Sequence, residues 1–269
     1  MRRLILFFLI FLCGNASAQE HTKSVFKNEV FNLGEELTFK ITLLGFNVGQ
    51  MVTKVDKTHH KLLGKQCYKV DGLANTSDWI SWVSKVNDTW TGYMDTTHFL
   101  TRASSRNIRE GRYKKDEWVT YDQELKKASV QVVDKKTGKY KEAKHYDMPQ
   151  NATDLVGGFM YLRFLDYDKA KKGDTLRING FFEDAGYTLK IIYKGKDFVK
   201  TKVGKIPCHL LAPVMPNNSL FDGKNSISIW ISDDKNKIPV KISAKMFIGH
   251  AGIELTNFKG LKNSLKIQY

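Results

Sequence analysis

The sequence lacks the short motifs that mark most catalytic and metal-binding proteins. Its seven histidines show neither a His-x-His nor a His-Glu-x-x-His spacing, and the adjacent His59 and His60 would point to opposite faces of a strand. No Gly-x-Ser-x-Gly nucleophile elbow and no phosphate-binding glycine loop occur. Asp233 and Asp234 are adjacent carboxylates, but such pairs commonly cap backbone amides in turns. We therefore predict no catalytic residue, no metal and no cofactor, and the pattern favours a non-catalytic protein over an enzyme.

Long apolar runs are also rare, and the one clear run lies near the start of the chain. A pair of arginines precedes the apolar residues 4–13, and Ala16-Ser17-Ala18 follows them. This order is typical of a secretory signal peptide, so we predict a signal peptide over residues 1–18, cleaved after Ala18. No later run reaches the roughly 20 apolar residues that a membrane helix needs. We expect a periplasmic protein that is not an integral membrane protein.

Cysteine is scarce, and only Cys67 and Cys208 follow the predicted signal peptide. An oxidising compartment permits a disulfide between them, but a disulfide requires Cα atoms about 5.5 Å apart, which a sequence does not reveal. Two separate buried thiols are the alternative that we favour, because free cysteine is among the most buried residue types.

Acidic residues are outnumbered, and the formal net charge is +15. Because an exported protein does not meet nucleic acid, its expected anionic partners are lipopolysaccharide, anionic lipid or acidic glycan. The lysines mostly lie in turns, as at Lys126-Lys127 and Lys171-Lys172, and this spread favours a generally solvated basic surface.

Apolar and polar residues alternate along most of the chain, which predicts half-buried β-strands. Leu37, Phe39, Ile41 and Leu43 share one face of such a strand. We predict an all-β, mainly antiparallel fold: a strongly curved sheet or barrel-like meander with one packed helix near 153–166, capped by Thr153 or Asp154. Residues 19–269 form a single β-rich domain in this interpretation. Two related β units joined by the helix are the alternative.

Several motifs together resemble a known bacterial exported family, domain of unknown function 3108. They are Gly34-Glu35-Glu36-Leu37-Thr38-Phe39, Asp154, Tyr161-Leu162-Arg163, and Ile229-Trp230-Ile231-Ser232-Asp233-Asp234 followed by Ile238-Pro239-Val240. The resemblance extends from about Val30 to about Gly260, although Val156 stands where the family prefers a serine. It implies an exported, mostly β protein of the cell envelope and supplies no catalytic residues.

Arginine is used sparingly outside one segment, where Arg102, Arg106, Arg109 and Arg112 occur close together. A guanidinium grips phosphate or carboxylate with two hydrogen bonds, so this cluster suggests an anion-binding patch. On a regular strand Arg102, Arg106 and Arg112 would share one face and Arg109 would lie opposite. A solvated edge strand protected by its charges is the alternative that we favour.

Aromatic residues supply further candidates for ligand contact. Trp79 and Trp82 would share one face of a short helical turn; buried, they would close the core, which we favour, and exposed they would form a lid or membrane-contact surface. Tyr161, Arg163 and Trp230 complete the predicted ligand-contact residues. Because an unpaired buried charge is costly, we expect Arg163 to form an ion pair with Glu35 or Asp154.

These observations favour a non-catalytic periplasmic protein that binds an amphiphilic or anionic envelope molecule, such as a lipid, lipopolysaccharide or glycan, in transport or envelope assembly. Its acyl chains would lie in an aromatic interior, with the headgroup on the arginines. A scaffold that docks an envelope protein is the first alternative. An envelope-polymer hydrolase is the second, although no spacing of carboxylates or nucleophiles supports it.

Overall fold

The computed structural model describes residues 26–82, 85–214, 226–246 and 249–268. The predicted signal peptide, residues 1–18, lies outside the described residues. Within the described ranges, every helix is too short or too polar to cross a membrane.

The described residues form fifteen strands and two short α-helices in a β-rich fold. The first nine strands are β1 (Glu36–Leu43), β2 (Phe46–Val55), β3 (His60–Leu62), β4 (Lys65–Thr76), β5 (Asn87–Asp95), β6 (Thr101–Glu110), β7 (Tyr113–Asp122), β8 (Lys127–Val132) and β9 (Lys144–Asp147). The others are β10 (Thr175–Phe182), β11 (Ala185–Thr201), β12 (Gly204–Pro213), β13 (Ile227–Ser232), β14 (Pro239–Lys245) and β15 (His250–Lys259). Helix α1 (Asp78–Ser81) follows β4, and helix α2 (Leu155–Tyr161) continues into a 3₁₀ turn (Leu162–Phe164).

All the strands belong to one strongly curved antiparallel sheet. Hydrogen bonds join them in the order β10, β11, β12, β13, β14, β15, β1, β2, β4, β5, β6, β7, β8 and β9, with β3 beside β4. The ladder does not close, but the segment after β9 reaches β10, where the Thr153 N–H donates to the Asn179 carbonyl at 3.0 Å and the Phe181 N–H donates to the Thr153 carbonyl at 2.9 Å. The prediction of a strongly curved, mainly antiparallel sheet is confirmed.

The burial of side chains follows the predicted alternation where a strand faces the interior. In β1, Leu37 and Phe39 are buried, whereas Thr38 and Lys40 remain half-buried. The alternation fades toward the end of the strand, where Leu43 is exposed. This change of pattern marks the end of the sheet at which the interior no longer covers apolar residues.

Helix α2 packs on β4, β5 and β10, on the interior side of the sheet. Asp154 caps it as predicted, accepting hydrogen bonds from the backbone N–H groups of Val156 at 3.0 Å and Gly157 at 3.1 Å. Its close approach depends on Gly92 in β5, because a Cβ atom there would lie 3.1 Å from the Cβ of Val156. Burial raises the pKa of the Asp154 carboxyl to about 6.

A buried ion pair joins the end of this helical segment to the rest of the fold. Both side chains of the Arg163–Glu35 pair are at most 2% exposed, and Arg163 Nη2 lies 3.0 Å from Glu35 Oε2. Arg163 also donates to the carbonyl of Asn236 at 3.0 Å and to that of Val30 at 3.2 Å. The predicted ion pair is confirmed with Glu35, since Asp154 is used as the helix cap.

Replacing Arg163 by methionine should lower the free energy of unfolding by about 3–5 kcal/mol, because Glu35 would then be a buried charge without a partner. Urea denaturation followed by circular dichroism measures this loss. Lys169→Met is the matched control, since Lys169 is 85% exposed in its pair with Asp166 and should change stability by about 1 kcal/mol or less. Equal effects of the two substitutions would contradict the assigned role of Arg163.

Candidate functional site

One end of the sheet exposes a cluster of large apolar side chains, which we call the apolar tip. It consists of Leu43, Leu44, Phe46, Trp79 and Trp82. Their exposed fractions range from 39% for Leu43 to 83% for Trp82. Isolated exposed apolar residues are ordinary, but neighbouring large ones commonly mark a contact surface.

The local backbone explains why the tip protrudes. Leu44 and Gly45 have φ angles of 53° and 86°, as a two-residue turn between strands of this twist requires, so the β1–β2 hairpin turns sharply with Leu44 at its end. Helix α1 is fixed beside it, because the Ser77 N–H donates to the Val48 carbonyl at 2.9 Å. Trp79 and Trp82 therefore lie beyond the ends of the strands.

The polar atoms of the two indoles are already satisfied within the tip. Trp79 Nε1 donates to the Asn47 carbonyl at 2.8 Å, and Trp82 Nε1 donates to the Trp79 carbonyl at 2.8 Å. Phe46 packs edge-on to Trp79, with ring centroids 6.5 Å apart. The tip can consequently enter an apolar phase without leaving an indole N–H unpaired.

The favoured interpretation of Trp79 and Trp82 as residues that close the core is wrong, because α1 is only four residues long and has no buried residue. Both side chains are exposed, as the alternative interpretation, an exposed contact surface, requires. The other tip residues were missed, although an apolar Leu-Leu-Gly-Phe turn between two strands was a usable signal, since turns are commonly polar.

A set of cations borders the tip on one side; we call it the basic rim. It comprises the exposed Lys85, Arg112, Lys114 and Lys135. The Gly111 N–H donates to the Lys85 carbonyl at 2.8 Å, which joins the β6–β7 turn to the segment that leads into β5. Arg112, Lys114 and Lys135 line a groove of about 510 Å³ between the β6–β7 turn and the end of β8. This groove is large enough for a polar headgroup.

Arg106 belongs to a buried charge network and not to the basic rim. Its Nε lies 2.6 Å from Glu117 Oε1, and its Nη1 also bonds to Glu183. Lys115 contacts the same Glu117 at 2.7 Å, so two cations face two carboxylates. The guanidinium also stacks over Phe182, at 4.8 Å from the ring centroid. The network carries no net charge, and the adjoining cavity holds about 20 Å³, room for one water molecule.

The other arginines of β6 are also paired with carboxylates. Arg102 Nε lies 2.9 Å from Asp95 Oδ2, and Arg109 binds both oxygens of Asp116, at 2.7 and 2.9 Å.

The register of β6 also differs from that of a regular strand. A β-bulge leaves Arg102 without a paired residue on β5, because Tyr93 pairs with Ala103 and Met94 with Thr101. β6 is an interior strand, so the edge-strand alternative is wrong. Of the predicted arginine cluster, Arg112 is the exposed member without a carboxylate partner among the described residues.

The remaining predicted contact residues lie away from the tip. Tyr161 packs against the core cluster that includes Leu162 and Ile191, and burial raises the pKa of its hydroxyl. Arg163 is fully buried, and it pairs there with Glu35. Trp230 is half-buried, and its Nε1 donates to Asp197 Oδ2 at 2.8 Å.

Cys67 and Cys208 are free buried thiols, so no disulfide joins them. They lie on different strand pairs, Cys67 opposite Asp95 and Cys208 opposite Ser232. Burial raises the pKa of the Cys67 thiol to about 11 and that of Cys208 to about 12.

Comparison with known proteins identifies the family. A profile of the family described as protein of unknown function DUF3108 matches residues 38–256, from β1 into β15. The chain belongs to this family. The match confirms the resemblance noted in the sequence. No curated protein matches this DUF3108 chain.

One solved structure shares the fold of this DUF3108 protein at low identity, and two others match it more weakly. A β-barrel-like protein of domain of unknown function DUF1849 from Brucella abortus superposes with a TM-score of 0.55 at 10% identity, covering 86% of this chain and 98% of that one. A Bacteroides fragilis protein provisionally described as exported, with a YmcC-like fold, gives a TM-score of 0.34 at 9% identity over 88% of this chain and all of its own. A Parabacteroides distasonis protein provisionally described as a lipoprotein gives 0.33 at 13% identity with the same coverage, 88% and 100%. The likeness to the Brucella protein supports a β-barrel-like fold and nothing about activity.

The two thiols should resist modification in the folded protein. Iodoacetamide at pH 8 should leave the native mass unchanged, because both sulfurs are buried and their raised pKa values keep them protonated. After unfolding in guanidinium without reductant, both should alkylate. Unfolded protein that still resists alkylation until a reductant is added would show a disulfide and contradict the assignment.

Proposed function

We propose that this DUF3108 protein is a periplasmic, non-catalytic protein that binds anionic lipid of the cell envelope through the apolar tip and the basic rim. The signal-peptide pattern of residues 1–18 supports the compartment. The observation that carries the proposal is the pairing of exposed apolar side chains, up to 83% exposed at Trp82, with neighbouring cations. Acyl chains would contact the tip, and headgroup phosphates would contact the rim.

The geometry favours a surface site over the interior site that the sequence suggested. The concave side of the described sheet carries α2 and four clusters of buried apolar side chains. Arg102, Arg106 and Arg109 are neutralised by carboxylates that lie within the fold. An anionic headgroup would have to break those pairs, whereas Arg112 and Lys114 are exposed and available.

Lipid is a better occupant of the tip than a protein partner for two reasons. The indole N–H groups are bonded inside the tip, so the outward surface offers few of the hydrogen bonds that protein interfaces commonly contain. Tryptophan beside cations is also the combination enriched where proteins meet a membrane surface.

Replacing Phe46 and Trp82 by serine should weaken binding to phosphatidylglycerol vesicles at least tenfold in a cosedimentation assay. Burying one such side chain contributes about 1.5–3 kcal/mol, and about 1.4 kcal/mol is a factor of ten. Leu125→Ser is the matched control, because Leu125 is 72% exposed at the β7–β8 turn, away from the tip. It should bind as the wild type does.

The rim is tested separately by Arg112→Ala combined with Lys114→Ala. Each cation near an anionic membrane contributes about 1 kcal/mol, so the double variant should lose about tenfold or more on phosphatidylglycerol and little on phosphatidylcholine. Failure of the wild type to bind phosphatidylglycerol vesicles would refute the lipid proposal. An envelope protein captured stoichiometrically by crosslinking in cells, and lost with the tip variant, would replace lipid by a scaffold role.

A further inference from the structure

A second constellation of chemically active groups lies where three separate segments meet. Its members are Asp168, His209 and Asp233, whose potential ligand atoms all lie within 4.8 Å of one another. Asp168 follows the 3₁₀ turn, His209 lies in β12, and Asp233 follows β13. These residues take no part in the apolar tip or the basic rim.

The fold holds Asp233 and His209 firmly. The Asp233 N–H donates to the Pro207 carbonyl at 2.8 Å, which fixes this turn against β12. His209 is 2% exposed, and its ring stacks on Tyr167 with centroids 4.9 Å apart. Asp168 is the next residue after Tyr167, and it is exposed, so its carboxylate can adjust its position.

The two ring nitrogens of His209 contact different side chains. Nδ1 lies 3.0 Å from the Tyr193 hydroxyl, and Nε2 lies 3.0 Å from Asp233 Oδ1. A metal ion would replace the proton that Nε2 shares with Asp233, and Nδ1 would then donate its own proton to the Tyr193 hydroxyl. Metal-binding histidines commonly have this arrangement, in which a partner of the second nitrogen sets the tautomer and the ring orientation.

We propose that Asp168, His209 and Asp233 bind a divalent transition-metal cation of the zinc type, with water in the fourth position. One imidazole and two carboxylates form a ligand set that zinc accepts, at about 2.0–2.2 Å per bond. Tetrahedral ligand atoms at those bond lengths lie about 3.3 Å apart. The present His209–Asp233 separation of 3.0 Å is close to this value. The carboxylate of Asp168 lies within 4.8 Å of the other two ligand atoms, and its exposed side chain is free to rotate toward them.

Lys196 is the internal competitor for this cation. Its Nζ lies 2.8 Å from Asp233 Oδ2, and its side chain is 60% exposed. Lys237 is another nearby cation, but its Nζ donates to the Leu165 carbonyl at 2.8 Å. A bound metal would therefore contact Asp233 through Oδ1 and weaken its pairing with Lys196, and removal of the lysine charge should strengthen metal binding.

Isothermal titration of the chelator-treated full-length protein with Zn²⁺ tests the site. We expect one equivalent to bind the wild type, at least tenfold weaker binding for Asp168→Asn and His209→Gln, and several-fold tighter binding for Lys196→Met. Asp166→Asn is the matched control, because Asp166 lies two residues from Asp168 and pairs with Lys169. It should bind zinc as the wild type does.

The two ligand variants separate a binding role from a structural one. His209 is buried, so His209→Gln is checked for native circular dichroism, whereas Asp168 is exposed and its substitution leaves the core intact. Absence of zinc binding by the wild type would overturn the proposal, as would unchanged affinity in Asp168→Asn or weaker binding in Lys196→Met. None of these outcomes bears on vesicle binding by the tip.

Discussion

The arrangement of the interior depends on one buried charge, that of Arg163. A buried guanidinium is tolerated only where its donors are satisfied, and here Glu35 and the carbonyls of Val30 and Asn236 accept them. Those partners come from the segment before β1 and from the β13–β14 turn. The helical segment is thus fixed at one position, because any shift along the sheet would separate the guanidinium from several acceptors at once. The apolar packing around α2 could tolerate a small displacement, but the charge could not.

The same principle governs where an anion can bind. Along β6 the buried Arg106 pairs with Glu117 and the half-buried Arg102 pairs with Asp95. Fixed internal anions outcompete a mobile external one, because they are already positioned and have lost their hydration. A high count of arginines in a segment therefore says little about anion binding. An external anion binds where a cation is both unpaired and exposed. In this segment the exposed arginine is Arg112, at the β6–β7 turn.

The features that sequence reasoning recovered are local or follow from a strong energetic rule. The alternation of Leu37 and Phe39 and the Asp154 cap depend on neighbouring residues, and the Arg163–Glu35 pair follows from the cost of an unpaired buried charge. The pairing of the β6 arginines, which it missed, depends on long-range register. Glu183 is 77 residues from Arg106, and a single bulge at Arg102 breaks the shared arginine face. The alternation of apolar and polar residues predicts neither the contact between Arg106 and Glu183 nor the bulge at Arg102.

Strand direction makes the two proposed sites physically independent. β13 begins near the end of the sheet that carries the tip, where Ile227 pairs with Ala244. Asp233 follows the opposite end of that strand, beyond Ile231. A rigid hydrogen-bonded ladder separates them, and the two sites share no side chain. An effect of zinc on vesicle binding would therefore have to pass through the sheet itself, and it would require two arrangements of the strands that both sites bias.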